Sequence, residues 1–181
     1  KIKSFISASA AGIYGDKTSE KIFDESGPYG NVFLAEVVKA WEAAADEFKN
    51  ENMAGRVVKV RTPVVLAADE GALQKMAIPV KFGIGAPLGS GKQYMPWVHI
   101  DDLSRMYKFA LENEISGAFN VASSEHVNNE QFTKAIAKVL KKPMFMPNIP
   151  AFMLKLIFGE LSSVLLEGSR ISSEKLQKEG F

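Results

Sequence analysis

Gly55-Arg56-Val57-Val58-Lys59-Val60-Arg61-Thr62-Pro63 reads as a β-branched strand that enters on a glycine and is broken by a proline. Immediately before it, from about Asn31 to Lys49, Phe33, Val37, Trp41, Ala45 and Phe48 recur every three or four places. That spacing makes the apolar stripe of an amphipathic helix. Earlier still, Lys3 to Ser9 is a short strand. Strand, helix and strand in this order, with a helix of this length, form a crossover between parallel strands. The fold class is therefore α/β. The stripe on the 31–49 helix is core or, alternatively, the seam of a homodimer.

The first strand ends in Ala8-Ser9-Ala10-Ala11-Gly12-Ile13-Tyr14-Gly15-Asp16, a turn of small residues with two glycines. Small side chains at a strand's carboxyl end let a ligand approach the backbone, where open α/β sheets bind theirs. A tight turn packed under a helix would use the same residues. The run Asp16 to Asn31 is a polar, glycine-containing loop.

Beyond Pro63, Val64-Val65-Leu66 stays extended, and Gly71 to Phe82 reads as a helix stopped near Pro79. A glycine-rich loop, 83–91, follows. A phosphate-binding loop ending at Gly91-Lys92 would need glycine at 86 and Ser or Thr at 93, but the chain has Ala86 and Gln93. Dinucleotide glycine spacing fails there too. Met95 to Ile100 is a short strand, and Asp101 and Asp102 stand where a helix N-terminus takes carboxylates. Loop, strand and capped helix in fifteen residues mark a lobe built to touch a ligand. Gly117 to Ala122 is a further strand, Asn128 or Asn129 caps a helix, and the 152–166 segment is apolar and helical with a break at Gly159.

With 181 residues, 46% of them hydrophobic, the chain suits one domain with a lobe. Its 22 basic and 21 acidic residues leave a net charge of +1, so nucleic acid is not an expected partner. Cysteine is absent and only His99 and His126 are present, which excludes disulfides and argues against a zinc centre. No segment reaches a membrane span of about 20 apolar residues. A cytoplasmic protein fits this composition. The start on a strand, without methionine, reads as a fragment boundary.

Taken together, these stretches resemble the later part of an extended short-chain dehydrogenase/reductase of the NAD-dependent epimerase/dehydratase family. More narrowly, the chain is similar to a nucleoside-diphosphate-sugar epimerase subfamily with its own C-terminal extension. The segments that carry the resemblance are Ser7 to Asp16, Phe33 to Glu42, Arg61 to Leu66, Pro87 to Leu103, Phe119-Asn120-Val121, and the tail from Pro150 to Phe181. The resemblance implies NAD or NADP as cofactor and a small-molecule substrate, a nucleotide sugar among the candidates. It implies the distal half of a Rossmann-type parallel sheet plus a small, mostly helical substrate lobe. The missing N-terminal half would carry the pyrophosphate cradle, so this piece alone is expected to be inactive. On that reading, residues 1–68 belong to the cofactor domain, 69–118 to the substrate lobe, 119–142 to a returning strand and helix, and 143–181 to the extension.

The family's catalytic trio is a Ser or Thr, a Tyr and a Lys. Aligned on the matching segments, the serine position is Ala10 beside Ser9, and the tyrosine and lysine positions are Leu34 and Val38. The remaining catalytic candidates are Ser9 and Tyr14, which would donate to a carbonyl gaining negative charge or would simply hold the turn. The resemblance places Ser7, Thr62, Pro63 and Val64 along the cofactor. It places Gln93, Trp97 and His99 on the substrate side, with Gln93 where relatives often carry a phosphate-binding arginine. His99, between Val98 and Ile100, also reads as a core histidine. Two functions stay open: an oxidoreductase, or a non-catalytic NAD(P)-binding scaffold working through association.

Overall fold

The computed structural model describes residues 1–15 and 18–181; Asp16, where the turn passes into the polar loop, lies outside the described residues. Strand β1 (Ile2–Ala10) runs into a 3-10 turn, Ala11–Tyr14, and the short β2 (Ile22–Phe23) precedes helix α1 (Phe33–Asn50). Strands β3 (Ala54–Thr62) and β4 (Val64–Leu66) lead to α2 (Ala72–Lys81), β5 (Trp97–His99) and α3 (Ile100–Glu112). Then come β6 (Gly117–Asn120), α4 (Asn129–Val139), α5 (Ala151–Phe158), a 3-10 turn at Gly159–Leu161, α6 (Ser162–Leu166), β7 (Arg170–Ile171) and α7 (Glu174–Lys178).

The three β-branched runs form one sheet, ordered β1-β3-β6 and parallel throughout. The two-residue period of β3 assigns its faces. Val58 and Val60 point to α3 and pack with Met106, Ala110 and Phe119. Val57 packs with Ala45 and Ala54 on the α1 side, where Phe5 and Phe48 stack with centroids 3.9 Å apart. Arg56 reaches the far end of α3 and donates to the carbonyls of Ala110 and Ile115, at 2.7 and 3.1 Å, satisfying acceptors that a helix end leaves open. The result is a helix–sheet–helix sandwich.

Pro63 takes the chain out of this sheet. Val64–Leu66 instead pairs in parallel with Trp97–His99, joining the segment after Pro63 to the start of α3. A third small pairing, β2 with β7, ties the 18–31 loop to the C-terminal segment. Among the described residues, no helix is long and apolar enough to cross a membrane.

Four local expectations change. On α1 the buried face is Ala35, Val38, Glu42 and Ala45, while Phe33, Val37 and Trp41 are 79%, 45% and 44% exposed. The buried set is turned relative to the apolar stripe because Glu42 is drawn inward by a charge on β3. Pro79 lies inside α2, which runs on to Lys81. The 95–100 strand is only three residues long, and Ile100 already belongs to α3. His99 is its N-cap, with Nδ1 accepting from the Asp101 amide at 3.2 Å, and Asp101 and Asp102 fill the first turn. The Asn128 cap does form, as a capping box with Gln131.

Candidate functional site

Parallel register brings Ser9, Arg61 and Asn120 side by side at the carboxyl ends of β1, β3 and β6. Arg61 is 1% exposed and sits against Glu42 in a two-point pair, Nε–Oε1 and Nη2–Oε2 both at 2.8 Å. Ser9 Oγ donates to Glu42 Oε1 at 2.6 Å. Tyr14 Oη donates to Asn120 Oδ1 at 2.8 Å and accepts from Arg61 Nη1 at 2.9 Å. The Asn120 backbone N–H donates to Glu25 Oε1 at 2.7 Å, which holds the 18–31 loop over the network.

Burial pushes the Tyr14 phenol up to about 12, against the smaller opposing pull of Arg61. Burial alone would raise Glu42 as well, but the hydrogen bonds from Arg61 and Ser9 hold it below the usual carboxylate range. Ser9 and Tyr14 are thus gathered into a closed polar cluster behind the strand ends. Ser7, further back on β1, is buried and donates to the Ala8 carbonyl at 2.8 Å.

In front of the same strand ends lies a cleft of about 1020 Å³. One wall is the small-residue turn, Ala11 and Gly12, with the start of α1 at Val32 to Leu34. Thr62, Pro63 and Val64 form the floor, where β3 leaves the sheet. Opposite stand Met76 of α2 and the 93–96 segment, and the C-terminal segment from Phe158 to Ile171 closes the remaining side. A Cβ built on Gly12 would meet open space, so backbone is available to a flat ligand there.

Of the sequence-predicted residues, Thr62, Pro63, Val64 and Gln93 line this cleft. Trp97 packs instead against the core of α2 and α4, and His99 is half exposed at the α3 N-terminus. That placement replaces the core-histidine reading of His99. Gln93 is 1% exposed, and its amide nitrogen donates to the carbonyls of Leu88 and Leu165, at 3.0 and 2.8 Å. It is a strut between the 83–91 loop and the C-terminal segment. Leu34, at the tyrosine position of the trio, lines the cleft, and Val38 is buried in the core.

Sequence reasoning passed over Arg61, Glu42 and Lys75. A glutamate within the helical run of α1 facing an arginine on a valine-rich strand was a usable signal for the first pair. Lys75, one turn into α2 and lining the cleft, carried none. Among the described residues no group of three or more His, Asp or Glu side chains is arranged to hold a metal.

A profile of the NAD-dependent epimerase/dehydratase family matches residues 1–122, and a second, a domain of unknown function (DUF1731), matches 149–181. The chain is 36% identical to the epimerase family protein SDR39U1 of Mus musculus over 171 residues, 93% of this chain and 57% of that protein. It is 36% identical to the epimerase family protein YfhF of Bacillus subtilis over 182 residues, 100% of this chain and 59% of that protein. The chain therefore spans under two thirds of these relatives. The crystal structure of human epimerase family protein SDR39U1 (isoform 2) with NADPH superposes with a TM-score of 0.87 at 31% identity, over 99% of this chain and 60% of that one. A nucleoside-diphosphate sugar epimerase from Corynebacterium glutamicum follows at 0.77 and 28%, over 97% of this chain and 33% of that one.

Proposed function

The chain belongs to the NAD-dependent epimerase/dehydratase family, and from that premise we propose that it forms the substrate side of an NAD(P)-dependent oxidoreductase. The observation that carries this reading is the cleft at the carboxyl ends of a parallel sheet, floored by Thr62-Pro63-Val64. Ligands of open parallel sheets sit at that edge. The open space in front of Gly12 and the small Ala11 fit a planar ring lying against backbone. Thr62, Pro63 and Val64 would lie along the nicotinamide, which when bound would supply hydride transfer to or from a substrate carbon, the accompanying hydroxyl proton being exchanged with solvent.

The chain's own residues set the geometry. Pro63 fixes the backbone at the floor, and Arg61, one residue before Thr62, is clamped by Glu42. Ser9 and Tyr14 act as positioning residues, since their hydroxyls hold Glu42, Arg61 and Asn120. The exposed ridge of Phe33, Val37 and Trp41 supports self-association through α1. The cysteine-free composition suits a reducing compartment such as the cytoplasm.

A second reading, a cofactor-binding scaffold without turnover, draws on one specific observation: Leu34 and Val38 leave the trio's tyrosine and lysine positions apolar. The two separate by experiment. The full-length protein is titrated with NADPH by nicotinamide fluorescence, then a panel of carbonyl compounds is screened for loss of nicotinamide absorbance. Binding followed by turnover is the expected result. Binding with no turnover on any carbonyl would leave the scaffold reading, and no binding would defeat both.

A further inference from the structure

Two pieces of chain far apart in sequence, the 18–31 loop and the 167–173 segment, meet beside the carboxyl ends of the sheet. They share a short parallel pairing, Ile22 with Arg170 and Phe23 with Ile171. Ser172 N–H extends it by donating to the Phe23 carbonyl at 2.9 Å. A polar margin runs alongside. Thr18 gives its N–H and its hydroxyl to Glu167 Oε2, at 3.0 and 2.7 Å. Arg170 Nη1 donates to the Glu20 carbonyl and to its carboxylate, both at 3.2 Å.

Neither arm is built to stand by itself. A lone pair of short strands is marginal at best in water. Each arm instead adds one apolar side chain, Phe23 or Ile171, to the same cluster around Ile13 and Tyr14. Lifting one arm uncovers the apolar contact of the other and leaves its polar groups without partners. One residue of the sheet holds both. Asn120 is 0% exposed, and its backbone N–H donates to Glu25 Oε1 of the first arm at 2.7 Å. Its side-chain Nδ2 donates to the Ser172 carbonyl of the second arm at 3.0 Å, and its Oδ1 accepts from Tyr14 Oη. The second arm supplies Glu167, Gly168, Ser169 and Ile171 to the wall of the cleft, so displacing it widens the cleft mouth.

We propose that the two arms form one clasp, jointed at Asn120, which opens and closes at the cleft as a single cooperative unit. The proposal goes beyond the cofactor reading and does not rest on it, because it concerns the protein alone and is read without any ligand.

The test is hydrogen exchange of the full-length protein, followed by mass spectrometry in peptides over 18–27 and 167–173, with β1 and β3 as the reference. Glu25→Ala cuts the tie of the first arm to Asn120, and no hydrogen bond of Glu25 reaches 167–173. Asn120→Ala cuts the tie of the second arm to Ser172 and keeps the backbone N–H that holds Glu25. In each variant both arms should exchange faster by the same factor, about tenfold, with the reference unchanged. Acceleration confined to the arm whose tie was cut would overturn the proposal, because the arms would then open independently. Unaltered exchange in both arms would overturn it too, as would equal acceleration of β1 and β3, which would make the opening that of the whole sheet. Should Asn120→Ala not fold, Glu25→Ala decides alone, since Glu25 is only partly buried and lies outside the core.

Discussion

With its guanidinium desolvated and its partners drawn from α1, the 11–14 turn and the 18–31 loop, Arg61 holds a buried charge whose neutralisation depends on several elements at once. Removing one member of a buried pair leaves the other charge without its counterion, at a cost of about 3–5 kcal/mol. Arg61→Met and Glu42→Gln should each lower the unfolding free energy obtained from urea denaturation by an amount in that range, while the double substitution should cost clearly less than the two added. Additive losses would show that the pair is not coupled. Titration gives a second handle. Tyr14 ionises near 12 in the fold against 10.0 ordinarily, so its contribution is whole below pH 10 and drains away as pH rises toward 12. The sign reverses for Glu42, whose folded value lies below the ordinary 4.5: its contribution is whole above that pH and disappears in more acidic solution. Stability measured across pH 10 to 12 should therefore fall more steeply in the wild type than in Tyr14→Phe, and equal slopes would remove the phenol from the account. None of this was legible at the level of single residues. Ser9 and Tyr14 flank a ligand-sized turn in sequence, and only the folded chain reveals that the Ser9 hydroxyl meets Glu42 and the Tyr14 hydroxyl meets Arg61 and Asn120.

At the level of elements, period and punctuation carried the parallel sheet: three β-branched runs, a long helix between the first two, and a proline ending the second. What they could not carry was rotation about the helix axis. The apolar stripe of α1 predicted its own burial, yet the sheet takes the Ala35–Val38–Glu42–Ala45 face because Arg61 and Lys59 wait there for carboxylates. Trp41 and Val37 are consequently left toward solvent, on a ridge too apolar to be an ordinary surface. If that ridge is a seam between two copies, Trp41→Glu should convert a dimer to a monomer in sedimentation velocity with little loss of thermal stability. A wild type that stays monomeric at high concentration would assign the ridge to some other contact. The cap of α3 shows the same limit on a smaller scale. Two adjacent aspartates are the stronger local signal, but the backbone turns one residue pair earlier, so the cap falls to His99 and the carboxylates complement the helix dipole from inside.

For the whole molecule, the decisive feature is how the C-terminal segment is stitched back to close the cleft, and sequence pattern holds no record of it. The contacts are long in sequence, and backbone makes several of them: Gly89 N to the Ile149 carbonyl at 2.8 Å, Ile149 N to the Pro87 carbonyl at 2.9 Å, Ser172 N to the Phe23 carbonyl at 2.9 Å. Side chains add struts, among them Gln93 to the Leu165 carbonyl and Asn148 to the Gly89 carbonyl. Gly168 is the closest approach of all, since a Cβ there would stand 2.0 Å from the Tyr94 carbonyl oxygen. That obstacle is backbone, flanked by Met95, whose amide is itself bound to the Val127 carbonyl at 2.8 Å, so neither side yields cheaply. Gly168→Ala should therefore lift the segment beyond about residue 150 off the lobe while the β1-β3-β6 sheet, buried elsewhere, persists. Limited proteolysis would read this as faster cleavage at Lys155 and Arg170 with the far-ultraviolet dichroism nearly unchanged. Binding of a ligand in the cleft should fall in parallel, because Leu161, Val164 and Leu165 leave with the segment. Unaltered cleavage together with unaltered ligand affinity would mean that the C-terminal segment neither depends on this contact nor forms the wall of the cleft.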